Sequence, residues 1–373
     1  MRDGHIFLNG GYPRLWGDQG DRTYCNLVLP ADYSDPDVMR VGEDYYLAVS
    51  TFQQSGGVDI LHSKDLVNWE TVGHALEDVS KLGPHFNWDR MNNYGAGVFA
   101  PSLHYHDGQF WVFVNCYRGE AFWRATAKDP SGPWDARQLE DQYGRPLRIE
   151  PWTDPDAFWD DDGQAYLAAA YLGTHSLYLF RMSPDGTRLL DADVDNLPDS
   201  GMIFYQIEGT EGNKIFKRNG YYYLFNVDFQ GRSPAGRGGY GKRSRHLYGT
   251  KEDGTPGGPG DIGRYEVFLL GHQFPSQGGF VDTPEGAWYF LGQYDDGGAA
   301  GRRVHLVTVH WLNDWPYMGE LENGMPTGEM VRRHAKPVQG FPVCIPQGSD
   351  DLRAGLCRHA GIGTTSPVKG IGL

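Results

Sequence analysis

The chain has 373 residues, of which 14% are aromatic, and a formal net charge of −15 at pH 7. This acidic balance argues against nucleic acid or an anionic membrane as a partner, because phosphate binding requires a basic face. The 52 glycines, the 23 prolines and the lack of long stretches with helical period favour many short strands joined by tight turns. An acidic surface rich in Trp and Tyr suits a neutral, polyhydroxylated ligand.

The first ten residues, MRDGHIFLNG, lack the basic start and the apolar segment of a signal peptide. No apolar run approaches the roughly 18 residues of a membrane span. We therefore expect a cytoplasmic location, unless a leader has been removed. The cysteines (Cys25, Cys116, Cys344 and Cys357) are scattered and form no CxxC pair, which predicts reduced thiols instead of a disulfide framework.

Five segments of the chain share one plan: a short strand, a polar turn that contains Gly or Asp, and an aromatic strand. Their spacing of roughly 55 to 65 residues leaves room for four strands and their loops, which is the size of one propeller blade. The segments are residues 34–50, 100–115, 153–170, 210–227 and 277–293.

A second motif, an Asp in a turn followed by a Trp, comes after the first two hairpins in HSKDLVNWE (62–70) and TAKDPSGPWD (126–135). We expect each turn to join the third and fourth strands of a blade, and RMSPDGTRLLD to be a longer version. Two stacked β-sandwiches are the alternative, but they predict no common register between the units. The shared register therefore predicts an all-β fold, a single five-bladed β-propeller over residues 1–335.

Three of the five segments carry an acid near the start of the first strand. Counted back from the first Leu of the second strand, the offset is 12 residues for Asp35 and 13 for both Asp154 and Glu211. If the first turn is one residue shorter, the three acids occupy equivalent positions, where the other two segments have Phe99 and Gln277. The innermost strand of each blade begins at one rim of the central channel, so these carboxylates should converge there.

Converging carboxylates repel each other and lose water, which raises the pKa of at least one of them. Glycoside hydrolysis uses such an arrangement, with one protonated acid for the leaving oxygen and one carboxylate that activates water. Turn capping and metal ligation are the alternative roles. Glu208, three residues before Glu211, is a competing candidate, but the odd offset would point it to the opposite face of a strand.

Five ordered motifs between about residues 24 and 335 resemble glycoside hydrolase family 43: YSDPDVMRVGEDYYL, HSKDLVNWE, VFAPSLHYHDGQFWVFV, TDPDAFWDDDGQAYL and TEGNKIFKRNGYYYL. The resemblance implies a five-bladed propeller and an inverting hydrolase that acts on β-xylosides, α-L-arabinofuranosides or arabinan. It implies Asp35 as the general base and Glu211 as the general acid. It implies Asp154 as the third carboxylate, which orients the acid and keeps its pKa high.

The resemblance also extends to residues around these acids. Phe52, Phe99 and Arg302 match sugar-facing positions of the family, and Trp88 is a candidate for the pocket wall. The alternatives are plain packing for the aromatic residues and a solvated blade edge for Arg302. Many members hold a calcium ion in the channel, which implies a calcium site here with His272 as candidate ligand, although an apparent insertion separates His272 from the fifth hairpin.

The hairpin pattern stops after VHWLNDWP, and residues 336–373 are expected to form an extended or partly disordered tail. The predicted function is an inverting glycoside hydrolase that releases xylose from β-1,4-xylooligosaccharides, terminal α-L-arabinofuranosyl groups, or both. An endo-arabinanase and a catalytically inactive sugar-binding propeller are the alternatives. The sequence leaves the oligomeric state open.

Overall fold

The structure is a computed structural model of the 373-residue chain. The helices in the described part of the chain are two short 3-10 turns, Val79–Leu82 and Pro84–Phe86. Neither has the length that a membrane span requires. The described residues are 16–87, 89, 97–116, 122–147, 152–171, 176–197, 200–206, 210–233, 236–269, 276–294, 301–319, 321–322, 325–326 and 333–337.

Strands make up most of the described chain. The first fourteen are β1 (Gly17–Asp18), β2 (Thr23–Cys25), β3 (Ser34–Val41), β4 (Asp44–Ser50), β5 (Gly57–Ser63), β6 (Glu70–Leu76), β7 (Val98–His106), β8 (Gln109–Cys116), β9 (Phe122–Ala127), β10 (Asp135–Gln138), β11 (Trp152–Trp159), β12 (Ala165–Tyr171), β13 (Ser176–Met182) and β14 (Met202–Gln206). The others are β15 (Thr210–Arg218), β16 (Tyr221–Ser233), β17 (Gly236–Ser244), β18 (Glu266–Leu269), β19 (Gly278–Asp282), β20 (Trp288–Tyr294), β21 (Arg303–Leu312), β22 (Trp315–Met318), β23 (Leu321–Glu322), β24 (Met325–Pro326) and β25 (Arg333–Ala335).

Twenty of these strands form five antiparallel sheets of four strands each, and every sheet is built from four consecutive strands. The sheets are β3–β6, β7–β10, β11–β14, β15–β18 and β19–β22, here called blades one to five. The first two strands of each blade are the predicted hairpins. A cavity of about 530 Å³ is lined by the first strands of all five blades, which are therefore the inner strands around a central channel. The predicted five-bladed β-propeller is confirmed.

The predicted Asp–Trp turns also lie where the sequence puts them. The first connects β5 to β6, and the second connects β9 to β10. In the first turn, Asp65 Oδ1 accepts hydrogen bonds from the N–H groups of Val67 and Asn68 at 3.0 and 2.8 Å, and the Trp69 indole donates to the Leu66 carbonyl at 2.9 Å. A short side chain that satisfies its own turn in this way explains why Asp recurs there.

The hydrophobic core lies between blades, because alternate residues of each strand point to the two faces of its sheet. Between blades five and one, Leu47 and Leu61 pack in one cluster with Leu291 and Leu306, all four at most 1% exposed. A second cluster joins blades two and three. Each blade is therefore covered by apolar residues of its neighbour, and its inner edge is directed to the channel.

Buried carboxylates link neighbouring inner strands at that edge. Asp37 Oδ2 in blade one accepts a hydrogen bond of 2.7 Å from the Leu103 N–H in blade two. Asp156 Oδ2 in blade three accepts one of 2.6 Å from the Ile215 N–H in blade four. An unpaired backbone N–H would be costly at this depth, so each acid satisfies a strand that belongs to another blade.

Residues before and after the propeller meet in a small sheet. Strand β2 pairs with both β1 and β25, and the rings of Tyr24 and His334 stack with centroids 5.0 Å apart. Lys336 Nζ lies 2.8 Å from Asp18 Oδ2 and 2.6 Å from Asp65 Oδ2, so it joins this sheet to blade one. The predicted tail lies outside the described residues from position 338 onward.

Two of the four cysteines fall in the described part of the chain. Cys25 is partly exposed and Cys116 is buried, and both are free thiols. Cys344 and Cys357 lie outside the described residues.

Candidate active site

A β-bulge interrupts the inner strand of blades one to four close to its start. In blade one, Ser34 pairs with Ser50 but Asp37 pairs with Ala48, so the inner strand contains one extra residue. Equivalent shifts occur in the hairpins of blades two, three and four. Bulges bend a strand and redirect its side chains, and they often occur next to active sites.

One residue of every bulge has a left-handed backbone. These residues are Asp35 (φ 51°), Ala100 (φ 52°), Asp154 (φ 52°) and Gly212 (φ 66°). They are the structurally equivalent positions at the channel rim. Asp35 and Asp154 therefore match, as the sequence predicts, and blade two contributes an alanine.

The predicted equivalence of Glu211 with the other two acids is wrong by one residue. Glu211 pairs with Val227 directly before the bulge, at the position that Phe99 has in blade two and Thr153 in blade three. The count of residues misleads because the hairpin is one residue longer in blade three, between the paired residues Ala157 and Leu167, than in blade four, between Ile215 and Leu224. Glu211 therefore approaches the channel from the preceding residue, with a side chain one methylene longer.

Asp35 is held by three groups. Its Oδ2 accepts a hydrogen bond of 2.6 Å from Ser50 Oγ, and its Oδ1 lies 3.2 Å from Arg302 Nη1. Its own N–H donates to Gln293 Oε1 at 2.6 Å. With 4% of its surface exposed, the carboxylate is fixed by donors from blades one and five.

Sequence reasoning missed two of these supports. Ser50 ends β4, and its hydroxyl also accepts a hydrogen bond of 2.7 Å from the Ala100 N–H in blade two. Gln293 Oε1 also accepts one of 3.0 Å from Ser34 Oγ. The available signal was a polar residue at the end of a buried apolar strand, but this signal does not reveal the partner.

Asp154 is buried and is held by blades four and five. Its Oδ2 accepts a hydrogen bond of 2.8 Å from the Gly212 N–H, and its Oδ1 accepts one of 3.1 Å from Gln277 Nε2. Burial raises the pKa of this carboxyl, and the charge of Asp35 raises it further. The two hydrogen bonds and the charge of Lys214 act in the opposite direction. Asp35 and Asp154 are thus close enough to interact electrostatically.

Glu211 lies at the start of β15 and is partly exposed. The next residue, Gly212, donates its N–H to Asp154, so the backbone that carries Glu211 is tied to the third carboxylate. An added Cβ at Gly212 would meet Val227 Cγ2 at 3.1 Å and Gln277 Cγ at 3.3 Å. Glycine is favoured here both by its left-handed backbone and by this close packing.

Of the predicted substrate-contacting residues, Arg302, Phe52 and Phe99 lie around the same rim. The Arg302 guanidinium carbon is 5.7 Å from the centroid of the Phe52 ring, and its Nη1 donates to Ser34 Oγ at 2.9 Å. Phe52 is 7% exposed and is bridged to the start of β7, whereas Phe99 is partly exposed. Trp88, Glu208 and His272 lie outside the described residues.

The sequence model of the glycosyl hydrolases family 43 matches residues 24–316. The chain belongs to this family. It is 33% identical over 366 residues to a beta-xylosidase of Formosa agariphila, covering 90% of this chain and 57% of that protein. It is 31% identical over 319 residues to a xylosidase/arabinosidase of Butyrivibrio fibrisolvens, covering 78% and 55%.

Solved structures of family 43 share the fold. The structure of xylan beta-1,4-xylosidase from Bacillus halodurans superposes with a TM-score of 0.62 at 25% identity, covering 85% of this chain and 60% of that one. The chain thus spans between half and two thirds of the length of these three proteins.

Below the three acids, a second group of ionisable residues lies across the channel. This channel cluster consists of Asp37, His104, Asp156 and Lys214. Lys214 Nζ is 3.2 Å from Asp37 Oδ1 and 3.9 Å from Asp156 Oδ1, and His104 Nε2 is 3.2 Å from Asp156 Oδ1. The cavity begins at this cluster and extends away from the rim that carries the three acids.

The channel cluster does not fit the calcium ion that is implied for family 43 members. Asp37, His104 and Asp156 each offer a ligand atom, and these atoms lie within 4.8 Å of one another. Lys214, however, places its ammonium group against two of them, and a divalent cation at the same point would be repelled by it. The calcium site predicted with His272 is a separate matter and stays a prediction.

Proposed function

We propose that this protein is an inverting glycoside hydrolase that releases xylose from β-1,4-xylooligosaccharides, terminal α-L-arabinofuranosyl groups, or both. The observation that carries the proposal is a pair of buried carboxylates, Asp35 and Asp154, on the inner strands of two different blades. Burial of two interacting acids beside a rim destabilises the fold, and a hydrolase requires such acids. The names of the two relatives, a beta-xylosidase and a xylosidase/arabinosidase, support the same class of substrates.

In the proposed reaction, Asp35 is the general base that takes a proton from the attacking water. A base must present a carboxylate lone pair in a fixed direction, and each carboxylate oxygen that accepts one hydrogen bond has a second lone pair for the water. The hydrogen bonds from Ser50 and Arg302 support this role, because they hold the carboxylate from two sides at 2.6 and 3.2 Å. In an inverting reaction the base and the acid are about 6.5–9.5 Å apart, which leaves room for the water between them.

Glu211 is the proposed general acid, which donates its proton to the leaving oxygen. It is partly exposed at the rim, as a residue that must reach the glycosidic oxygen should be. Asp154 is the proposed orienting carboxylate, and its bond to the Gly212 N–H supports this role because that bond fixes the residue next to the acid. A negative charge close to Glu211 would also favour its protonated form.

The proposal is tested with an aryl β-xyloside, an aryl α-L-arabinofuranoside and linear arabinan, followed by analysis of product size. Release of monosaccharides from the aryl glycosides or from chain ends supports it. Release of only longer fragments from linear arabinan would identify an endo-arabinanase instead. Asp35→Asn is the control that must abolish turnover. Turnover of none of the three substrates, with sugar binding retained, would identify a sugar-binding propeller.

A further inference from the structure

The channel cluster contains more charge than the proposed reaction uses. Asp37, Asp156 and Lys214 are at the same level of the channel, because each is the first paired residue after the bulge of its strand, and His104 lies two residues beyond the equivalent position in blade two. Asp37 and Asp156 are 5% and 1% exposed, and Lys214 is 8% exposed. Buried carboxylates at this depth require a compensating cation.

Lys214 reaches this position from blade four, and the neighbouring blade makes room for it. Blade five contributes Gly278 and Gly279 at this level of the inner strand. An added Cβ at Gly279 would lie 2.6 Å from Asp37 Oδ1, so a side chain there would fill the space beside that carboxylate. The absence of side chains in this part of blade five leaves the Lys214 ammonium in direct reach of blade one.

We propose that Lys214 is the resident cation of the channel, and that its ammonium takes the place that a divalent metal ion would otherwise have between Asp37, His104 and Asp156. The ammonium also joins the inner strands that carry the three acids. Asp37 follows Asp35 by two residues, and Lys214 follows Glu211 by three. One lysine therefore holds blades one, three and four in register below the candidate active site.

The direction of the pKa shift of Lys214 agrees with this assignment. Burial acts to lower the pKa of Lys214, but the charges of Asp37 and Asp156 outweigh it, so that the pKa is raised and the group stays an ammonium. The titratable groups that face it are Asp37 from blade one, His104 from blade two, and Asp156 and Asp154 from blade three. Blade five adds glycine at this level.

Two atoms of the cluster remain available to a ligand. His104 Nε2 and Asp156 Oδ1 are buried and make no hydrogen bond of acceptable geometry in the described structure, although they are 3.2 Å apart. Imidazole and carboxylate groups together are a common donor set for divalent transition metals. Removal of the ammonium should therefore convert the three remaining side chains into a metal site.

The test uses Mn²⁺, whose free concentration is measured by electron paramagnetic resonance. The proteins are the wild type, Lys214→Ala, His104→Ala and the double variant, each freed of metal by dialysis against a chelator. Lys217→Ala is the matched control, because Lys217 lies on the same strand and pairs with Asp160 and Asp161.

We expect Lys214→Ala to bind one equivalent of Mn²⁺ more than the wild type, and the double variant to lose that equivalent. Lys217→Ala should bind as the wild type does. Mn²⁺ should also reverse at least half of the decrease in melting temperature that Lys214→Ala causes, but it should not reverse the decrease in the double variant. His104→Ala alone should bind the same number of Mn²⁺ equivalents as the wild type. Any ion that the wild type holds elsewhere in the channel should be bound by both proteins.

If the wild type binds an equivalent of Mn²⁺ that His104→Ala does not bind, the proposal is overturned, because the metal would then share the cluster with Lys214. A folded Lys214→Ala protein that gains no equivalent would overturn it too. If Lys214→Ala does not fold, the comparison of the wild type with His104→Ala decides alone. None of these readouts depends on glycosidase activity.

Discussion

The Ser50 hydroxyl is the support of Asp35 that a single substitution removes most cleanly. It donates to Asp35 Oδ2 at 2.6 Å and accepts from the Ala100 N–H at 2.7 Å. Ser50, Asp35 and Ala100 are 2%, 4% and 3% exposed, so water cannot readily replace the hydroxyl. Ser50→Ala therefore leaves one buried carboxylate oxygen and one buried N–H without this partner.

The magnitude follows from these two bonds. A hydrogen bond to a charged group contributes about 1.5–3 kcal/mol, and a buried N–H without a partner costs about 1–3 kcal/mol. We expect Ser50→Ala to lower the free energy of unfolding by about 3–5 kcal/mol, a large share of the about 5–15 kcal/mol that is usual for a domain. Because Asp35 also loses its orientation, kcat should fall by about 10- to 100-fold.

Urea unfolding followed by Trp fluorescence gives the first quantity, and hydrolysis of an aryl xyloside gives the second. Ser63→Ala is the matched control. Ser63 is also 2% exposed, and its hydroxyl accepts from the N–H groups of Leu66 and Asp65 at 2.9 and 3.1 Å. This control should lose stability but keep its kcat. If Ser50→Ala keeps both the stability and the kcat of the wild type, the hydroxyl does not hold Asp35, and our reasoning about the rim fails.

Three further predictions concern the acids. Glu211→Ala should lose most activity on xylobiose but keep a much larger fraction on a nitrophenyl xyloside, because a nitrophenolate leaves without protonation; Asp35→Ala should lose about 10²–10⁴-fold on both. Equal losses for Glu211→Ala on the two substrates would reject Glu211 as the acid and favour Glu208. Proton NMR of a β-xyloside digest should show α-xylose first, and initial β-xylose would mean retention. Burial and the charge of Asp35 raise the pKa of Asp154. The folded protein therefore keeps the Asp154 carboxyl proton at a pH where the unfolded chain has lost it. As a result, this carboxyl lowers the free energy of unfolding as pH rises above about 4. The free energy of unfolding of Asp154→Asn, relative to the wild type, should therefore increase from pH 4 to pH 7, by at most about 1.4 kcal/mol per pH unit; a constant difference would contradict the raised pKa.

The hairpins could be read from the sequence because each is a local structure. A polar turn between two strand-forming runs specifies its own pairing within about 20 residues. The five repeats of this pattern then fixed the number of blades, and the count of acids near the strand starts led to Asp35 and Asp154. The same count also led to Glu211, which lies one residue before the position that is equivalent to Asp35 and Asp154.

The error at Glu211 has a backbone cause. The bulge is common to the inner strands of blades one, three and four, but the hairpin of blade three has one residue more than that of blade four between equivalent paired positions, and a count along the sequence does not detect this difference. The Gln293 support and the Asp37–Lys214 ion pair were missed for a different reason. Ser34 meets Gln293, and Asp37 meets Lys214, across very long separations in the chain. Such contacts exist only after the blades close into a ring, and one sequence offers no local sign of them.

The bulges also bear on how this propeller could change over evolutionary time. A left-handed backbone costs a residue with a Cβ roughly 1–2 kcal/mol, less for Asp, and glycine avoids this cost. Blade four already has Gly212 at the bulge, whereas Asp35 and Asp154 keep the strained conformation in blades one and three. Glycine would relieve the backbone strain and remove a buried carboxylate at those two positions, and selection for activity opposes it. A descendant released from that selection should drift towards glycine there, so a paired loss of both aspartates to glycine would be a sequence signature of propellers that kept the fold after losing the reaction.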